Sequence, residues 1–272
     1  MSGFYRRHLI ARSSLAALIA LASLPLAACS NKSASLDGAD SMVTGSTSPP
    51  SLREAAKLGK DWQKDPKNLG LGLAYAGQLK KLGQASQQLQ VLATLYQYHP
   101  SDPTLLATYG RELVQAGQAD QAQPILAKAI AAGGNNWKIH SAMGWALDQQ
   151  GKYGEARSYY HRALEIAPGN AAVMNNLGMS YALEGDLQQA EKTLREASEL
   201  PTGRSEPRLR QNLALVVGLQ GRFAEAETIV KADLPPDEAA ANVAYLKEML
   251  NRNDAPRNAA KRMPLASLSQ SE

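Results

Sequence analysis

Residues 137–170 read WKIHSAMGWALDQQGKYGEARSYYHRALEIAPGN, a 34-residue stretch that sets the pattern for most of the chain. Met143 and Leu147 before Gly151, and Tyr153 and Tyr160 after it, place large apolar residues at helical spacing. Gly144, Ala156 and Ala163 interrupt them with the smallest side chains. A sharp turn between two helices needs a residue in the left-handed region, where Gly is favoured by roughly 1–2 kcal/mol over residues with a β-carbon. Small residues on either side let two antiparallel helices cross with their backbones close. Pro168 then ends the second helix, because it has no amide hydrogen and pushes its predecessor away from the α region. The stretch predicts a helix hairpin hinged at Gly151.

The same features recur along the chain. Gly83, Gly117, Gly151 and Gly185 stand 34 residues apart, and Gly221 follows after 36. Seven before them stand Ala76, Gly110, Gly144, Gly178 and Ala214. Five after stand Ala122, Ala156, Ala190 and Ala226, with Gln88 in the first unit, and twelve after stand Leu95, Ala129, Ala163, Ala197 and Asp233. Pro66, Pro100, Pro168 and Pro201 lie near unit ends, whereas Pro124 falls inside a second helix, where it would kink or break it. A fixed period of this length marks stacked supersecondary units. The columns of 137–170 resemble the tetratricopeptide consensus almost position for position, and the resemblance implies an all-α fold, an α-solenoid of helix hairpins. The expected units are 69–102, 103–136, 137–170, 171–206 and 207–235, the last after a two-residue insertion around Thr202-Gly203-Arg204. Flanking helices at Leu52 to Gln63 and Pro236 to Arg252 close a body spanning 52–252. The polar segment 253–272 reads as a loose tail.

Composition agrees, since aromatics are only 6% of the chain and Val, Ile and Thr runs that would mark strands are missing. Residues 1–28 have the form of a secretory signal: Arg6 and Arg7, an apolar run from Leu15 to Leu26, then small residues. The tetrad Leu26-Ala27-Ala28-Cys29 resembles the lipobox of bacterial lipoproteins, which implies cleavage before Cys29 and acylation of that residue. The alternative is an uncleaved transmembrane anchor, against which stand Pro25 and a run shorter than the about 20 apolar residues a spanning helix wants. Ser30 rather than Asp after the cysteine points, by the sorting pattern of Gram-negative lipoproteins, to the outer membrane. Residues 29–51 then form a Ser/Gly/Pro tether of roughly 25 Å root-mean-square span. Cys29 is the sole cysteine, so no disulfide forms. Removing Arg6, Arg7 and Arg12 from the net charge of +4 leaves +1, which is no footprint for nucleic acid.

No chemistry stands out. His8, His99, His140 and His161 are the only histidines, and no Cys, His, Asp or Glu grouping has metal-ligand spacing. With no phosphate loop, dinucleotide fingerprint or nucleophile elbow, the sequence predicts no enzyme, no cofactor and no small-molecule substrate. What stacked hairpins offer is a concave face that binds proteins. By the family's register, inward positions here include Arg111, Trp145, Asn175, Asn176, Met179, Arg208, Gln211 and Asn212. Trp145 and Met179 either anchor a partner or fill gaps between stacked units. Asn176 and the basic Arg208 match clamp positions of chaperone-tail-binding relatives, but Ser141, Trp145 and Asn212 stand at the others, so carboxylate clamping is not expected. The lipobox, the tether, the repeats and the ending Leu234-Pro235-Pro236-Asp237-Glu238 with Asn242-Val243-Ala244-Tyr245-Leu246 resemble the TadD lipoproteins of Flp (tight-adherence) pilus systems. That resemblance implies a pilotin-like role with the pilus secretin or other secretion-system components as partner. An envelope adaptor recruiting peptidoglycan enzymes is the alternative.

Overall fold

A computed structural model describes residues 50–134 and 136–251. The expectations for the signal 1–28, for lipidated Cys29 and the tether up to residue 49, and for the tail 253–272 lie outside the described residues. Five helix pairs follow one another: α2 (Leu69–Lys81) with α3 (Ala85–Tyr98), α4 (Pro103–Gln115) with α5 (Ala119–Ala131), α6 (Trp137–Gln149) with α7 (Tyr153–Ile166), α8 (Ala171–Glu184) with α9 (Leu187–Glu199), and α11 (Pro207–Leu219) with α12 (Phe223–Val230). Helix α1 (Pro50–Lys64) precedes them and α13 (Pro236–Asn251) follows, while the one-turn α10 (Pro201–Arg204) occupies the insertion. No strand occurs among the described residues. The fold is an all-α solenoid.

The hinge glycines act through two hydrogen bonds apiece. At Gly151, φ is 76°, its N–H donates to the Asp148 carbonyl at 2.9 Å, and the Lys152 N–H reaches back to the Leu147 carbonyl at 2.9 Å. This pairing satisfies carbonyls at the end of the first helix and turns the chain into the second. The same two bonds recur at Gly83, Gly117, Gly185 and Gly221. A further column caps the first helices: Asn68, Asp102, Asn136 and Asn170 accept from backbone N–H groups of Leu71, Leu105, Lys138 and Val173 at 2.8–3.1 Å. Each such cap is worth about 1 kcal/mol. The fifth unit opens on Glu206, whose side chain makes no cap.

Within a pair, a large side chain of the second helix fills the space left by a missing β-carbon in the first. A Cβ on Gly144 would lie 2.7 Å from Cε1 of Tyr160, one on Gly178 2.7 Å from Cγ of Leu194, and one on Gly110 2.6 Å from Cδ2 of Leu126. Ala122, Ala156, Ala190 and Ala226 are fully buried close to the same crossings. The first pair is displaced: Gly72 receives Leu95, and Gln88 is buried in the small-residue column. Helix α5 runs through Pro124 without interruption, although the ring removes one amide donor. Asp233, which replaces the alanine of the three preceding units, lies beyond the short α12 and pairs with Arg210, whose Nε donates to Oδ2 at 2.7 Å. At the C-terminal end, Leu246 of α13 covers Gly218 and closes the stack.

Gly144→Ala separates this packing from helix propensity. Propensity alone would stabilise α6 by about 1 kcal/mol. The new methyl group would meet the buried Tyr160 ring, and overpacking of that kind costs about 1–3 kcal/mol. A net loss of about 1–2 kcal/mol in urea unfolding is expected; a gain would mean that Tyr160 does not occupy the glycine's space.

Candidate protein-binding face

Successive first helices touch one another, α4 against α6, α6 against α8 and α8 against α11, whereas successive second helices touch far less. The first-helix layer is therefore the shorter side of the stack and its surface the inner one. Polar rungs join its members and tie α1 to them. The Gln78 amide donates to Glu54 on α1 at 3.0 Å, and Lys80 pairs with Glu112 at 3.0 Å between α2 and α4. Gln149 of α6 donates to the Val114 carbonyl at 2.9 Å, Asn176 of α8 to Ser141 at 3.2 Å, and Asn212 of α11 to Asn175 at 2.8 Å. A sixth bond lies deeper, where Ser180 donates to Oδ1 of Asp148 at 2.6 Å while the Tyr160 hydroxyl donates to Oδ2 at 2.8 Å. Burial pushes the Asp148 carboxyl up to about 7, against the opposing pull of the two hydroxyls and of Arg157. The Tyr160 phenol is also raised, by burial and by the Asp148 carboxylate.

The eight inward residues separate into two groups. Arg111, Trp145, Asn176 and Arg208 are half-buried on α4, α6, α8 and α11, and Gln211 is exposed. Asn175, Met179 and Asn212 are buried, at 5%, 3% and 5% exposure, so in this structure they face neighbouring helices instead of solvent. The close approach of α8 to α11 causes it: the two asparagines spend their amides on each other and Met179 fills the gap between stacked units. Arg208 carries a buried Nη1 without a partner among the described residues, and desolvation holds its guanidinium below its ordinary value. Trp145 lines two hollows, one of about 10 Å³ with Asp148, Tyr160, Asn176 and Met179, and one of about 790 Å³ on the side of α4 and α5.

Residues 109–171 and 149–209 each match a tetratricopeptide-repeat family model. Together the two matches span residues 109–209, over which the chain is similar to tetratricopeptide repeats. The hairpins α2–α3 and α11–α12 on either side repeat the hinge geometry. Among solved structures, PilW, described as a widely conserved type IV pilus biogenesis factor, superposes with a TM-score of 0.60 at 19% identity, over 71% of this chain and 90% of its own. A thermophilic tetratricopeptide protein of Thermus thermophilus gives 0.54 at 22% identity, over 64% and 96%. MamA of AMB-1 gives 0.51 at 24%, over 56% and 90%. At these identities the likeness is one of fold. No curated protein matches the sequence.

Tetratricopeptide stacks are in general scaffolds that bind other proteins, and no catalytic family is indicated. Among the described residues no three His, Cys, Asp or Glu side chains gather as a metal site, and no helix is long and apolar enough to cross a membrane. The buried carboxyl of Asp148 joins two units through Ser180 and Tyr160 and is part of the junction between α6 and α8.

Proposed function

We propose that this protein is a lipid-anchored, pilotin-like scaffold that serves assembly of a Flp-type pilus secretion system by holding a segment of its secretin against the inner face of the repeats. The observation that carries the proposal is the continuous first-helix layer, joined by polar rungs, on whose surface Arg111, Trp145, Asn176, Arg208 and Gln211 are at least partly exposed. Aromatic and arginine side chains flanked by amides are the residue types that dominate protein interfaces. Support for the pilus setting comes from the TadD-like ending of the chain and, at the level of fold, from the pilus biogenesis factor PilW. In this proposal Cys29 supplies the outer-membrane anchor and the repeats stand in the periplasm. Several acyl chains, at roughly 0.8 kcal/mol per buried methylene, make such attachment effectively permanent.

Two results test it. Cys29→Ser should move the protein from the membrane pellet to the soluble periplasmic fraction and lower the yield of secretin multimers. Deletion of the gene should abolish those multimers and piliation. Unchanged multimers after deletion would reject the secretin role, and cell-wall defects with normal pili would favour recruitment of peptidoglycan enzymes instead.

A further inference from the structure

The larger hollow beside Trp145 lies at the rim of the inner face, where the α4–α5 turn meets the last turn of α6. Its volume of about 790 Å³ falls within the range of ligand sites, roughly 300–1,000 Å³. Its lining is unusual in one respect, since five glutamines, Gln115, Gln118, Gln121, Gln149 and Gln150, surround it with a single charged residue, Asp120. Two of the five are committed to the fold: Gln149 donates to the Val114 carbonyl at 2.9 Å, and Gln150 to Oδ1 of Asp120 and to Gln123, each at 3.1 Å. Asp120 is thereby partly satisfied. The side chains of Gln115, Gln118 and Gln121 make no hydrogen bond among the described residues, and the last two are exposed.

A primary amide offers two donors and an acceptor, a match for the single donor and acceptor of a peptide group. An anionic partner would find no cation in this lining, and its one carboxylate, Asp120, already accepts from Gln150 through Oδ1, while an apolar side chain would find the indole of Trp145 together with Ala116 and Ala119. We propose that this rim cleft holds an uncharged stretch of a partner protein's extended main chain, with peptide groups on Gln115, Gln118 and Gln121 and one apolar side chain against Trp145. The site adds a second point of contact, outside the inner face itself, and it rests on the protein-binding function proposed for the repeats.

Photo-crosslinking residues placed singly at Gln118, Gln121, the inner-face Asn176 and the outer-face Glu196 of the full-length protein in cells test this directly. Adducts are expected at Gln118 and Gln121, absent at Glu196, and sequencing of the crosslinked peptide should return a segment without charged residues. A synthetic peptide of that sequence should bind the purified protein with an affinity that changes less than about twofold between low and high salt, because no ion pair is screened. Gln118→Ala combined with Gln121→Ala should weaken that peptide at least about fivefold, the loss of roughly one net hydrogen bond, with the melting temperature unchanged. A highly charged crosslinked segment, a carbohydrate, a second copy of this chain, or affinity unmoved by the double substitution would overturn the inference. Adducts at Asn176 without any at Gln118 or Gln121 would overturn it while leaving inner-face binding intact, and absence at all three positions would reject both.

Discussion

Tyr160→Ala is expected to lower stability by about 3–5 kcal/mol, the range for removing a fully buried aromatic side chain. Tyr160 is 1% exposed, its ring fills the space above Gly144, and its hydroxyl holds Asp148. Tyr160→Phe keeps the ring and removes the donor, so it isolates the hydroxyl; leaving a buried carboxyl oxygen short of a partner costs about 1–3 kcal/mol. Urea unfolding of the two variants beside the wild type gives both terms. Because a solenoid is held by contacts between adjacent units, the Ala variant should also lower the cooperativity of unfolding, with units on either side of α7 separating. An Ala variant as stable as the wild type would mean that the α6–α7 crossing is not closed by this residue.

The second large effect is on pH. The Asp148 carboxyl has an ordinary value of 3.8 and is pushed to about 7 in the folded protein, chiefly by burial. A carboxyl raised on folding favours the folded state fully when protonated, below 3.8, and that contribution is lost as pH rises from 3.8 through 7. Between pH 4 and pH 8 the loss is on the order of 4 kcal/mol. The charged groups nearest to it, Arg157 on α7 and Glu184 at the end of α8, are ion-paired with each other at 2.7 Å and oppose one another in their effect. Asp148→Asn cannot ionise, and one of its hydroxyl partners turns to accept from the new amide. The variant should therefore be close to the wild type, or about 1 kcal/mol weaker, at pH 4, and more stable by several kcal/mol at pH 8. Taking the difference between the two proteins cancels the titrating groups that do not interact with Asp148. A difference that stays constant across that window would show that Asp148 remains ionised in the folded protein throughout.

Much of this architecture is visible in the residues, because several backbone requirements admit few side chains. A hinge at positive φ requires Gly, and its recurrence at 83, 117, 151, 185 and 221 gives the hairpins directly. The caps Asn68, Asp102, Asn136 and Asn170 recur at the same 34-residue spacing and for an equally specific reason, yet they draw less notice because Asn and Asp also occur freely in loops. The column nine after each hinge, Leu92, Leu126, Tyr160, Leu194 and Val230, reads as ordinary core until geometry shows that it fills the space over the glycines in α4, α6 and α8. The inner face is less legible. Register alone turns Asn175, Met179 and Asn212 towards a partner, but how closely α8 and α11 approach is set by packing across units. The bond between Asp148 and Ser180 joins residues 32 apart in the chain, and neither has a local pattern that marks it.

Binding by the first-helix layer is tested most directly by comparing two aromatic positions on opposite sides of the stack. Trp145 lies on α6 in that layer, and Tyr98, 46% exposed, ends the second helix α3. Secretin retained by immobilised full-length protein from detergent-solubilised envelopes should fall by at least about tenfold for Trp145→Ala, the roughly 1.4 kcal/mol or more of an interface anchor. It should be unchanged for Tyr98→Ala, with both variants matching the wild-type circular dichroism spectrum. Retention that survives Trp145→Ala and is lost with Tyr98→Ala would place the partner on the second helices and contradict the account.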